Sequence, residues 1–135
     1  MMNSFRYLFL FLPSLCSALG PQPELTKEFW NNPEFIKSFM GDYGFRTEIE
    51  PRVTKSEQNT LREVVAKAQN QIEEAIDFLE SKLNEEASSA LDFALATMYF
   101  QIGRLTPSAK TYEQAILKFP SFLRAHKNLG FVHLS

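Results

Sequence analysis

Two histidines, His126 and His133, and two carboxylate pairs, Glu73-Glu74 and Glu85-Glu86, are the first residues whose types suggest chemistry. The histidines fall about two turns apart on one helical stretch. No cysteine or carboxylate is spaced to join them, and a metal needs converging ligands. Adjacent glutamates do not face each other on a helix, so neither pair aims an acid and a base at one substrate. The five glycines are scattered rather than gathered into a phosphate loop, and no serine lies in a nucleophile elbow. The sequence therefore predicts no catalytic residue, no metal ligand and no cofactor. What remains for function is a surface, and the elements that shape it come next.

A chain of 135 residues with 44% hydrophobic content allows one small domain with an ordinary core. Its net charge of -2 offers no basic stripe for nucleic acid or an anionic membrane. The first twenty residues, MMNSFRYLFLFLPSLCSALG, are a different material: one charge at Arg6, an apolar run from Tyr7 to Leu12, then small residues. That is the layout of a secretory signal peptide, with cleavage expected after Ala18. The run falls short of the roughly 20 apolar residues a permanent span requires, and Pro13 interrupts it. No transmembrane segment is expected after cleavage. A lipid anchor at Cys16 is disfavoured because Leu15, just before it, is not small. Cleavage removes the sole cysteine, so the exported part, periplasmic or secreted, must hold together by packing without a disulfide.

Residues 19–54 read as a leader. Asn32, Pro33 and Glu34 are an N-cap, a first-position proline and a first-turn acid, and Gly41 closes the short helix they start. Phe45 to Val53, with Pro51 inside, reads as extended connection. Phe29, Trp30, Phe35, Phe39, Tyr43 and Phe45 form an aromatic cluster, read as the cover for the open end of a helical array rather than as a ligand cage.

From Thr54 the periodicity is helical. Thr54 and Glu57 make a capping box. Leu61, Val64, Val65, Ala68, Ile72, Ala75, Ile76, Leu79 and Leu83 then recur at steps of three and four. This is one long helix or two, with the polar triplet Gln69-Asn70-Gln71 as the only plausible break and Asn70 with Glu73 as a cap beyond it. Ser88 or Ser89 caps the next helix, whose stripe Leu91, Ala94, Leu95, Met98, Tyr99 and Ile102 predicts strong amphipathicity. Gly103 ends it. Thr106-Pro107 starts its antiparallel partner, which carries Ala109, Tyr112, Ala115, Ile116 and Phe119 until Pro120 stops it.

Leu95, Ala96, Tyr99, Gly103, Tyr112, Ala115 and Pro120 fall on the spacing of the tetratricopeptide repeat, a 34-residue helix-turn-helix unit. The sequence resembles that family. Residues 89–122 form a complete unit and 55–88 a degenerate one. Residues 123–135 start a third, with Leu129 and Gly130 at repeat-packing positions and the histidines at aromatic ones. Small residues at Ala96, Ala115 and Gly130 are expected where helices come closest. Ser108 departs from the pattern, since alanine is usual there. The resemblance implies an all-α helix-turn-helix solenoid, and a stable array usually needs about three units, so the chain reads as a C-terminally truncated fragment.

The family also implies that the first helices of successive units line a concave groove for a peptide or partner protein. Groove-facing positions projected onto this chain are Phe93, Thr97 and Phe100 on one helix, and Arg124, Lys127 and Phe131 on the next. Aromatic anchors beside cations suit an extended peptide with an acidic group. Two rival roles remain open at this level: the recognition arm of a longer enzyme, and a self-associating structural subunit.

Overall fold

The computed structural model describes residues 31–40 and 48–135. Six α-helices and no strand occur among them: α1 (Pro33–Met40), α2 (Lys55–Ala68), α3 (Ile72–Glu80), α4 (Ser89–Gln101), α5 (Leu105–Lys118) and α6 (Leu123–Leu134). The protein is all-α over this range. The stretch read as a signal peptide, the leader aromatics Phe29, Trp30, Tyr43 and Phe45, and the glycine expected to close the first helix, Gly41, lie outside the described residues. No helix among the described residues is long and apolar enough to cross a membrane.

Side-chain caps mark three of the six described helix starts. Asn32 caps α1, its Oδ1 accepting from the backbone N–H of Glu34 at 2.9 Å and of Phe35 at 3.3 Å. At Thr54 the capping box is complete, with Glu57 N–H donating to the threonine hydroxyl and Thr54 N–H donating to the glutamate. The triplet at 69–71 does divide the long apolar stripe into α2 and α3. Asn70 is not the cap, however. Its side chain donates back to the carbonyl of Ala66, and Gln71 occupies the N-cap without a side-chain bond. Ser88 is the cap of α4. Helix α5 begins at Leu105, before the expected Thr106, because Pro107 lacks only an N–H that a first-turn residue has no use for.

Helices α2 and α3 form one antiparallel hairpin, α4 and α5 a second, and α6 packs against α5. Helices α2, α4 and α6 begin at Lys55, Ser89 and Leu123, evenly spaced along the chain. Equivalent positions in them share an inward face: Val64, Met98 and Val132 are all buried, as are Leu61 and Leu95, with Leu129 half-buried.

Burial overturns one expectation. Helix α4 is not amphipathic in use, because it lies between two cores. Leu91, Ala94, Leu95, Met98 and Tyr99 join α2, α3 and Phe39 of α1, while Phe93 and Ala96 face a second cluster with Tyr112, Ala115, Phe122, Ala125 and Val132. Most residues opposite the apolar stripe are therefore shielded from water, even Ser89 and Asp92 being buried, while Thr97 and Phe100 are half-buried. Phe35 and Phe39, with ring centroids 5.9 Å apart, pack on the first core as cover.

Small residues serve as expected at Ala96 and Ala115, both fully buried, and again at Ala125. Gly130 departs from that expectation. A Cβ placed there would meet nothing within 4 Å, since no described helix packs on that side of α6. Leu95, Tyr99 and Tyr112 are buried; Pro120 is exposed in the turn after α5; and Gly103 takes φ +73° between α4 and α5, a backbone state suited to glycine.

Candidate functional site

The six residues projected onto a groove separate into an engaged group and an exposed one, with Phe100 between them. Phe93, Thr97 and Arg124 are engaged inside the protein. Phe93 is 3% exposed and stacks at 5.6 Å on Tyr112 and 5.0 Å on Phe122. Thr97 donates to the carbonyl of Phe93 and shares a 2.9 Å bond with the Tyr112 hydroxyl. Asn128 donates to that same hydroxyl at 3.0 Å. The Thr97 proton is already committed, so the Tyr112 proton points to Thr97, and a one-way chain runs from Asn128 through Tyr112 and Thr97 to the backbone. Burial pushes the Tyr112 phenol pKa up.

The Arg124 guanidinium lies 4.8 Å from the centre of the Phe93 ring and 5.7 Å from that of Phe122. Two of its nitrogens donate to the Glu50 carboxylate, Nε to Oε1 and Nη2 to Oε2, each at 2.7 Å. Glu50 belongs to the segment ahead of α2, and its side chain is only 7% exposed. The same segment is held through its main chain. Leu123 N–H donates to the carbonyl of Ile49 at 3.3 Å, and the Ser88 hydroxyl donates to that of Arg52 at 2.7 Å. Pro51 is buried between these anchors. Residues 49–52 thus cross the N-terminal ends of α4 and α6, at the Arg124 end of the projected groove.

Lys127 and Phe131 form the second group. Both are exposed on α6, with the Lys127 ammonium 6.0 Å from the Phe131 ring centre. Phe100 is half-buried, packed against the second core. The histidines do not meet: His126 bonds the carbonyl of Pro120 through Nε2, and His133 is exposed.

Sequence reasoning missed a second polar junction beside this face. Lys118, at the end of α5, donates to Asp92 at 2.8 Å and to the carbonyls of Asn84 and Ala87, tying the loop before α4 to α5. Burial raises the Asp92 pKa despite the pairing with Lys118. Glu57 goes the other way. Burial alone would raise its carboxyl, but hydrogen bonds from the Ser88 and Thr54 backbone and the Thr54 hydroxyl, with Lys118 nearby, hold it below the usual value. Open depressions of about 280 and 380 Å³ border this junction, lined mainly by polar and charged side chains and continuous with solvent.

No family model, curated protein or solved structure matches this chain.

Proposed function

We propose that this chain is an exported, non-catalytic protein-interaction module of the tetratricopeptide type, holding a peptide or partner protein on the face built by α4 and α6. The observation that carries the reading is the even spacing of α2, α4 and α6, with buried Val64, Met98 and Val132 at equivalent positions. That interval is the length of the repeat unit resembled by the sequence. A hairpin array of this kind spends its residues on stacking and leaves its first helices to meet partners. Export rests on the signal-like residues 1–18.

Replacing Lys127 and Phe131 together by alanine tests the reading, because both side chains are exposed and their loss leaves both cores intact. The expected result is an unchanged circular-dichroism spectrum with reduced recovery of a partner by pulldown from envelope extract. Undiminished recovery discards this face as the binding surface.

A second reading, self-association, is favoured by the outer side of α6. Phe131 and Leu134 are 47% and 76% exposed there, beside the open Gly130. Sedimentation equilibrium separates the two: a monomer at all concentrations that still captures its partner removes the self-associating role.

A further inference from the structure

We propose that the cradle of Arg124, Phe93 and Phe122 is a recognition site for an extended acidic peptide, and that Ile49-Glu50-Pro51 occupies it as an internal surrogate that such a peptide displaces. The inference rests on the interaction-module reading and adds the chemistry of the ligand and a competitor within the chain.

The seated segment is held as a ligand is held. Its carboxylate takes two parallel hydrogen bonds from a guanidinium, the geometry that makes arginine selective for planar anions. The guanidinium in turn lies against two aromatic rings, which orient it and shield it from water. Main-chain carbonyls on either side of Glu50 are bonded by Leu123 N–H and the Ser88 hydroxyl. Recognition therefore reads a backbone, one central acid and the proline after it. These are features another extended peptide can reproduce.

The segment is also separable from the fold. Residues 49–52 belong to no helix, so lifting them, with Thr54 left in place as the cap of α2, breaks the bonds just named without breaking a helical ladder. Both ring anchors and the arginine come from α4, α6 and the turn before α6, and remain in place. A tethered segment acts at an effective concentration of about the millimolar range. A peptide in solution must overcome that local excess, and its apparent affinity falls by the fraction of chains in which the cradle is closed.

The test uses the full chain and a fluorescein-labelled synthetic peptide, TEIEPRV, copied from residues 47–53, read by fluorescence anisotropy. Glu50→Gln keeps the shape of the segment and weakens its hold, so the peptide should bind that variant at least tenfold more tightly than it binds the unsubstituted chain. A peptide carrying glutamine at the central acid should lose this binding, as should the double variant Glu50→Gln, Arg124→Met. Glu50→Ala, checked by circular dichroism, provides a second opened cradle should the glutamine retain the closed state. Equal affinity for the unsubstituted chain and both Glu50 variants, or no measurable binding to any of them, overturns the proposal. Capture of a partner from extract that is indifferent to Arg124→Met also overturns it, while leaving the broader interaction role standing. Peptide binding that follows this pattern with no partner captured upholds the cradle and removes the broader role.

Discussion

The Ser108 hydroxyl, wholly buried, donates to the carbonyl of Ala96 at 2.8 Å, joining α5 to α4. Position 108 is one where the resembled repeat favours alanine, and the structure supplies the reason serine is accommodated: the extra oxygen has a partner. Ser108→Ala removes a neutral hydrogen bond and only one atom's volume, and the Ala96 carbonyl, inside α4, can keep its helical bond. The expected cost is about 1 kcal/mol, read as a lower midpoint in urea with an unchanged slope. Ser108→Leu should cost more, because a fully buried site has no room for the larger side chain.

Glu57 joins the start of α2 to the start of α4, accepting from the backbone N–H groups of Thr54 and Ser88, each at 2.7 Å. Glu57→Ala is expected to cost about 1–2 kcal/mol at neutral pH, as a cap and a charge-assisted bond are lost together. The sign of the pH dependence follows from the depressed carboxyl. Its folded-state pKa lies below the ordinary value of 4.5, so its stabilisation is complete above that value and is lost as pH falls through the lower, folded one. Urea titrations of the two proteins should therefore differ at pH 7 and converge under strong acid.

How much of this was legible in advance depends on the reach of each interaction. Asn32, Thr54 and Ser88 were readable because a cap and the amides it serves lie within a few residues. The role of α4 was not, because periodicity records one apolar face and the second core reaches its opposite face only in the packed molecule. Asn70 had the right type for a cap, and a competing bond to Ala66 took its side chain. Arg124 is one of the projected groove positions, and in the fold its guanidinium is taken by a carboxylate. Its partner Glu50 lies 74 positions away, and no local pattern links two residues at that distance. Lys118 was overlooked for the same reason, since two of its acceptors are main-chain carbonyls.

The clasp between Arg124 and Glu50 should be asymmetric. Their side chains are 23% and 7% exposed respectively. Arg124→Met strands the more buried partner, a carboxylate, and is expected to cost about 3 kcal/mol. Glu50→Gln leaves the cation with more water and two aromatic faces, and should cost about half as much. In the double variant much of the larger loss returns, because no buried charge is left unpaired. Chemical denaturation of the four proteins provides the cycle; equal single costs that simply add would show that the two groups do not interact.

Tyr99 carries the link between α3 and α4, its hydroxyl donating to the carboxylate of Glu80. Burial, followed by that acceptor, pushes the phenol up to about 12 from 10.0. The folded state thus binds the proton more tightly. The resulting stability is intact below pH 10 and declines as pH rises toward 12, while unfolded chains ionise first. Tyr99→Phe is expected to be less stable at pH 7 by about 1 kcal/mol and to show a shallower alkaline decline. Thermal melts run upward from neutral pH, through the unfolded value of 10.0 and toward the folded one of about 12, are the check.

Gly103 and Gly130 should respond oppositely to the same substitution. Gly103 holds φ +73° in the turn between α4 and α5, so Gly103→Ala has space for a methyl group but not the backbone freedom, at a cost on the order of 1 kcal/mol. Gly130 lies inside α6 with ordinary helical geometry and open space beyond. There alanine lowers the entropy lost on folding and meets no neighbour, and a gain of about 0.5–1 kcal/mol is expected. Melting temperatures should move down for the first and up for the second. A fall at both would mean that the outer side of α6 is covered in solution, in which case dilution should abolish the Gly130→Ala penalty if the cover is another copy of the chain.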